Sequence, residues 1–371
     1  MRGTNVVGII FSNMHDDSIP QLTSVRTIGS VPFGGRYRMI DFPLSNMVNS
    51  NINKVGVITK SNYQSLMDHL GSGKSWDLSR KKEGLYILPP FGRGNGVYNE
   101  RIDALAGIST FLRHCTEEYV VLSDCNIVCN INFADVLNAH VQKNADITVV
   151  YQNGIMPADL TEKVSFEFGR GKKISAVVNG IAPAEKCNWS MGIYVMKREF
   201  LMRTVEDAVA RNRTDWVRDV LQTGVDQYKI YGFKHDGYVG AMSSMQSYFS
   251  TTMDLMKASV RKDLFCPERP IYTKVRDEMP ARYGLTSSVK NSLIADGCLI
   301  EGEVENCVLF RGVKIGKGAK VSNSIIMQNT EIGDNSVLNY VIADKDVIIR
   351  NGRSFMGCES YPVYIGKGNI V

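Results

Sequence analysis

The run Val31-Pro-Phe-Gly-Gly-Arg-Tyr-Arg-Met-Ile-Asp-Phe-Pro-Leu-Ser-Asn46 is the most distinctive stretch of this sequence. Its paired glycines let a backbone approach a ligand closely, and Arg36 and Arg38 are cations of the kind that meets phosphate groups. The same residues suit a structural loop equally well, with the arginines paired to carboxylates. Other candidate segments are weaker. Gly71-Ser-Gly-Lys-Ser75 lacks the first glycine of a phosphate loop and follows a helical pattern, so it reads as a flexible loop. Gly92-Arg-Gly-Asn-Gly96, preceded by Pro89-Pro90, reads as a mobile loop. Cys125 and Cys129 have neither a second pair nor a nearby histidine to complete a zinc set, so structural thiols are favoured and no metal site is expected. Residues 231–240, with Phe233, His235 and Tyr238, read as an aromatic strand packed on a sheet.

Hydropathy patterning supplies the scaffold. Residues 6–11, 54–59, 119–122, 147–151 and 191–196 are short apolar runs rich in β-branched residues, the pattern of buried strands. Between them, 63–70, 102–113 and 133–143 carry apolar residues at helical spacing. This alternation predicts an α/β domain with a mostly parallel sheet, in which ligands bind beyond the carboxyl ends of the strands. From 256 to 284 the pattern fails, and Pro267, Pro270 and Pro280 among many charges mark a surface connector. Beyond it, apolar residues recur every five or six positions: Leu309, Ile315, Val321, Ile326, Ile332, Leu338, Ile342 and Ile348. One inward residue per short strand, with three strands per coil, is the pattern of a left-handed parallel β-helix. Eleven glycines from Gly284 to Gly368 suit its tight corners. The expected domains are therefore 1–255 and 285–371, joined by the connector 256–284.

Composition narrows the function classes. The 371 residues leave room for about two domains of roughly 100–200 residues each. With 44% hydrophobic and 22% charged residues, the chain is globular rather than disordered. A net charge of +5, from scattered basic residues, favours anionic small molecules mildly and falls short of a nucleic-acid footprint. No apolar stretch approaches the ~20 residues that span a bilayer, and the N-terminal run lacks a signal-peptide cleavage site. Eight irregularly spaced cysteines, several inside apolar runs, read as reduced core thiols of a cytoplasmic protein.

Residues 33–46, Val55-Gly-Val-Ile-Thr59, Ser190-Met-Gly-Ile-Tyr-Val195 and the hexapeptide tail together resemble the ADP-glucose pyrophosphorylase (glucose-1-phosphate adenylyltransferase) family, across essentially the whole chain. The resemblance implies a Rossmann-like, glycosyltransferase-A-like nucleotidyltransferase domain with a mixed sheet, followed by the left-handed β-helix. It further implies adenylyl transfer from ATP to glucose 1-phosphate for glycogen or starch synthesis, magnesium, and an allosterically controlled tetramer.

The sequence departs from this family where the chemistry resides. Nucleotidyl transfer relies on positioning and on neutralising phosphate oxygens with metal, basic side chains and backbone amides. The family's Gly-Gly-x-Gly-Thr-Arg-Leu loop falls on residues 13–19, so its glycines are absent and Asp16 and Asp17 stand where phosphates approach. His15 is a degenerate position there, expected at the surface. The lysine of the next motif is Ile28. The first metal aspartate aligns with Asn126, or with Cys125 after a one-residue shift, and Asp124 lies nearby; the second becomes Ala241. The family's Trp-Tyr-x-Gly-Thr-Ala-Asp-Ala reads Val97-Tyr-Asn-Glu-Arg-Ile-Asp-Ala104, so Glu100 puts bulk and charge where a glycine gave room. Ser190 and Gly192 are retained on the sugar-phosphate side, but the phosphate-binding lysine is lost, and Lys186 is a weak stand-in. Each lost electrostatic group is typically worth about 10²–10³ in rate.

The resemblance with these losses implies the regulatory-subunit type: no catalytic residues, no cofactor of its own, and magnesium held by a catalytic partner subunit. A tetramer-like hetro-oligomer is implied, or a homo-oligomer when alone, with small phosphorylated metabolites acting at an interface near Arg36 and Arg38. Two other readings stay open. One is a weakly active adenylyltransferase using Asp124. The other is a sugar-phosphate sensor or scaffold built on Ser190 and Arg36. A β-helix acyltransferase is disfavoured, because none of the five histidines lies beyond His235.

Overall fold

Residues 5–90, 98 and 100–371 are described in a computed structural model; the glycine-rich segment 92–96 lies outside them. Among the described residues the N-terminal sheet has nine strands: β1 (Val6–Phe11), β2 (Lys54–Ile58), β3 (Gly84–Leu88), β4 (Tyr119–Asp124), β5 (Ile147–Gly154), β6 (Val164–Phe168), β7 (Ile174–Asn179), β8 (Cys187–Lys197) and β9 (Ile230–Lys234). Their order is β7-β6-β8-β4-β1-β2-β3, with β5 also on β8 and β9 on β5. Strands buried on both faces read as continuous apolar runs, which is why β1, β2 and β4 are visible in the sequence.

The sheet is mixed rather than mostly parallel. β4, β1, β2 and β3 are parallel, but β8 runs antiparallel to both β4 and β5. The reason lies after β5: the chain meanders through β6 and β7 instead of crossing over by a helix, so β8 returns in the opposite direction.

Helices α1 (Asp41–Asn49), α2 (Gln64–Leu70), α3 (Arg101–Gly107), α4 (Ser109–His114), α5 (Phe133–Gln142), α6 (Arg198–Ala210), α7 (Met245–Met253) and α8 (Ala258–Leu264) accompany the sheet. The single helix expected over 102–113 is two, α3 and α4, broken at Ile108 just after the poor helix former Gly107. The stretch expected to be a connector contains α8, whose Val260 and Leu264 are buried. The chain then runs extended along α1, where the Asn49 amide donates to the Pro270 carbonyl at 2.9 Å and the Tyr272 N–H donates to Ser45 Oγ at 2.9 Å.

The C-terminal domain is a left-handed parallel β-helix of three sheets, each with five short parallel strands. Pairs such as Lys314 with Glu331 and Glu331 with Ile348 repeat at the spacing of one coil. Leu309, Ile315, Val321, Ile326, Ile332 and Leu338 point inward as expected. Ile342 and Ile348 do not. A strand of period two turns every side chain over with a one-residue slip, and Ala343 and Ile349 take the inward places. Ile348 is exposed, whereas Ile342 faces outward into a second apolar cluster. That cluster unites the domains: Val308, Phe310, Ile325, Met327 and Ile342 pack with Phe33, Met39, Phe42, Tyr248 and Leu255. Corners with positive φ are shared between glycine and asparagine, and Asn291, Asn306, Asn323 and Asn339 form a stacked amide ladder.

Candidate functional site

β1 and β4 end side by side, Phe11 opposite Asp124, so the two central strands deliver their next residues to one place. Asp124 is 3% exposed. Its Oδ1 accepts from Arg101 Nη1 at 2.6 Å, and its Oδ2 lies 3.0 Å from Arg101 Nη2 and 3.1 Å from His15 Nε2. Arg101 Nη2 also donates to the Glu162 carboxylate at 3.2 Å. The guanidinium sits over the rings of Phe11 and Tyr194, 4.9 and 5.7 Å from their centroids. Burial opposes a charge on Asp124, yet the Arg101 guanidinium and then His15 outweigh it and hold the carboxyl well below its usual range. For His15, burial pulls the imidazolium down, and the hydrogen bond and charge of Asp124 more than reverse this.

Gly192 makes room for this cluster. It has φ +65° in the bulge between Ser190 and Ile193, and a Cβ there would stand 2.5 Å from Asp124 Oδ2. Ser190 Oγ accepts from the Gly192 N–H at 3.2 Å across the same bulge. Of the residues singled out in the sequence, His15 and Gly192 thus converge on Asp124, and Ser190 joins them only through the Gly192 N–H. His15 is buried, not at the surface, because Asp124 draws it in. Glu100 is exposed, and it is its neighbour Arg101 that is buried against Asp124. Arg101 and Glu162 were invisible as site residues, although a basic residue replaces the threonine of the family's motif at position 101.

Asp16 also differs from its expected role. Its Oδ1 accepts the Ile28 N–H at 2.7 Å and its Oδ2 the Asn13 amide at 2.5 Å. Burial pushes its pKa up to about 6 against those hydrogen bonds. Asp16 therefore consumes donors that a phosphate would use, and Asp17 alone of the two is exposed. The Ile28 side chain lies in the apolar cluster that also holds Cys125, Ile127, Met191 and Ala241. The Asn126 carbonyl accepts from the Met242 N–H at 2.8 Å, beside the short pair Ile127–Val128 and Gly240–Ala241. Lys186 is exposed.

These residues do not fit magnesium, which requires hard oxygen ligands with free lone pairs. The Asp124 carboxylate is engaged by Arg101 and His15, and the second position offers the methyl group of Ala241 in apolar surroundings. Among the described residues no group of three or more His, Cys, Asp or Glu side chains is arranged to hold a metal ion.

The glycine-rich hairpin of Pro32–Phe33 and Tyr37–Arg38 is built against the chain itself. Gly34 and Gly35 have positive φ, and a Cβ on Gly35 would stand 3.5 Å from the Leu309 carbonyl oxygen of the β-helix. Arg38 is buried and donates to the Ser65 carbonyl at 2.6 Å and Oγ at 2.9 Å. Burial lowers its pKa to about 10, with Arg276 and Arg26 adding repulsion against the pull of Asp41. Arg36 is exposed. Burial, then the charge of Arg36, lowers the pKa of Arg311, whose buried Nε has no hydrogen bond and only a 3.9 Å approach to Asp296. Cations from the hairpin, the connector and the β-helix thus gather where the domains meet.

The model of the nucleotidyl transferase family matches residues 20–256, and that of the GlmU-like C-terminal hexapeptide matches 278–359. The chain is similar to glycogen biosynthesis protein GlgD of Bacillus subtilis, 36% identical over 100% of this chain and 98% of that protein. It is similar also to GlgD of Geobacillus stearothermophilus, 38% identical over 85% of this chain and 82% of the relative. A glucose-1-phosphate adenylyltransferase of Bacillus cytotoxicus is 31% identical over 95% of each chain. The chain belongs to the nucleotidyl transferase family, in the group that holds the glucose-1-phosphate adenylyltransferases and the GlgD proteins.

Proposed function

We propose that this member of the glucose-1-phosphate adenylyltransferase group is a regulatory subunit for glycogen biosynthesis, without adenylyltransferase activity of its own. The observation that carries this reading is the engagement of Asp124 by Arg101 and His15, while Ala241 at the second position offers no metal ligand. Metal-assisted nucleotidyl transfer needs open carboxylate oxygens to bring phosphate oxygens and cation together. Donors that would cradle the phosphates are likewise taken by Asp16. The core, the hairpin and the domain interface are meanwhile intact, as an assembly role requires.

In this reading the chain forms a hetero-oligomer with a catalytic adenylyltransferase subunit, which holds the magnesium. Small phosphorylated metabolites act through Arg36 and the cations around it, since a buried Arg311 Nε without a hydrogen bond is an anion-binding feature. Ser190 and Gly192 serve the architecture of the bulge first, and sugar-phosphate binding there is secondary.

The test is to assay the purified chain for ADP-glucose formation with magnesium, alone and mixed with a catalytic subunit. Silence alone, with changed turnover or effector response in the mixture, is expected. Robust turnover by the chain alone sinks the reading. Failure to associate, with unaltered partner kinetics, shifts the assignment to a metabolite sensor.

A further inference from the structure

The disagreement between this site and a divalent cation has a specific cause. Two carboxylates, Asp124 and Glu162, face one another through a single positive group, the Arg101 guanidinium. We infer that Arg101 is an internal replacement for a metal ion: it neutralises Asp124 permanently, so the end of β4 neither needs nor admits a divalent cation. The inference rests on the non-catalytic reading and supplies the residue responsible for it.

Four observations support the exchange. The guanidinium makes a two-pronged contact with Asp124, taking both carboxylate oxygens that a cation would need. It is fully enclosed, 2% exposed, and held between Phe11 and Tyr194, so it has no solvated alternative to swing into. Its helix is anchored where it starts, because the Ile102 N–H donates to the Thr214 carbonyl at 3.4 Å. Gly192, finally, lets the β8 backbone close on the Asp124 carboxylate, where an added Cβ would stand 2.5 Å from Oδ2. A buried carboxylate without a partner is strongly disfavoured. Removing Arg101 therefore leaves Asp124 in need of another cation and releases the Glu162 carboxylate from the same guanidinium.

The probe is Mn²⁺ alone, followed by electron paramagnetic resonance on the full-length chain, with thermal unfolding in parallel. Arg101→Ala is expected to bind one Mn²⁺ at least about tenfold more tightly than the unmodified chain. Saturating Mn²⁺ is expected to raise its Tm by roughly 3–5 °C. Both effects should vanish in Arg101→Ala/Asp124→Asn. If Arg101→Ala does not fold unaided, Mn²⁺ should restore folding, and the double variant should fold without metal. A folded Arg101→Ala that binds Mn²⁺ no better than the unmodified chain overturns the inference. So does an Arg101→Ala that stays unfolded in saturating Mn²⁺, or an Asp124-dependent Mn²⁺ site in the unmodified chain. These outcomes are separable from those of the turnover assay: failure here with a silent chain removes only the role of Arg101.

Discussion

Arg26 and Asp344 form a two-pronged ion pair at 2.9 and 2.8 Å across the domain boundary, with neither side chain more than 3% exposed. Tyr364 Oη lies 3.0 Å from the same carboxylate, and the Lys345 N–H donates to it at 2.7 Å. Removing one member of a buried pair typically costs about 3–5 kcal/mol, whereas replacing both with apolar groups is often nearly neutral. Arg26→Ala should therefore lower the urea midpoint strongly. Arg26→Met/Asp344→Leu should recover most of that loss, and equal losses in the single and double variants would count against the pair as a domain clamp.

Gly192 is required twice over, by its φ of +65° and by the 2.5 Å distance from an added Cβ to Asp124 Oδ2. Gly192→Ala should destabilise the protein by about 1–3 kcal/mol. Only the contact with Asp124 is relieved when that residue is also shortened, so Gly192→Ala in an Asp124→Ala background should cost less. A double-mutant cycle read by thermal unfolding gives the coupling directly. Additive losses would show that the carboxylate does not dictate the glycine.

Asp16 predicts a pH dependence of definite sign. Its pKa is about 6 when folded, raised by burial from the ordinary 3.8. The folded state thus holds this proton more tightly, and the associated stability is present below pH about 4 and lost as pH rises through about 6. His15, also raised, acts in the same sense, while the depressed Asp124 acts only in stronger acid. Stability profiles of the unmodified chain and Asp16→Asn should diverge between pH 4 and 7. Parallel profiles there would refute the assignment.

Legibility in the sequence followed how local the causes were. Strands β1, β2 and β4 were visible because burial on both faces leaves an unbroken apolar run. The β-helix is visible because its period is local, yet that period points to Ile342 and Ile348 where Ala343 and Ile349 face inward. An isoleucine pair such as 348–349 looks the same in either register, and only the facing domain or solvent chooses. The direction of β8 depends on a meander that leaves weak apolar runs in β6 and β7. Arg101 at the first turn of a helix resembles any solvated arginine; its burial is set by Phe11, Asp124, Glu162 and Tyr194, all distant in sequence. The paired glycines of the hairpin signal a close approach in the sequence, and Gly35 approaches the β-helix backbone at Leu309.

Lys345 gives the sharpest test of anion binding at the domain boundary. Burial, with repulsion from Arg38 and Arg26, lowers its pKa to about 7; Asp344 opposes this, and Lys367 adds to it. The ordinary lysine value of 10.5 applies once the chain unfolds, so the folded state resists protonation between these limits. Stability from this group is therefore present above pH about 10.5 and is lost as pH falls through about 7. An anion seated beside Arg26, Arg38 and Lys345 would reverse that cost by favouring the charged lysine. Sulfate, which does not titrate in this range, should raise the Tm more at pH 6 than at pH 8.5. Lys345→Met should remove the difference while leaving the fold intact, since the backbone N–H of residue 345, not its side chain, holds Asp344. Equal sulfate effects at the two pH values would place any anion away from Lys345 and confine the effector proposal to Arg36, Arg276 and Arg311.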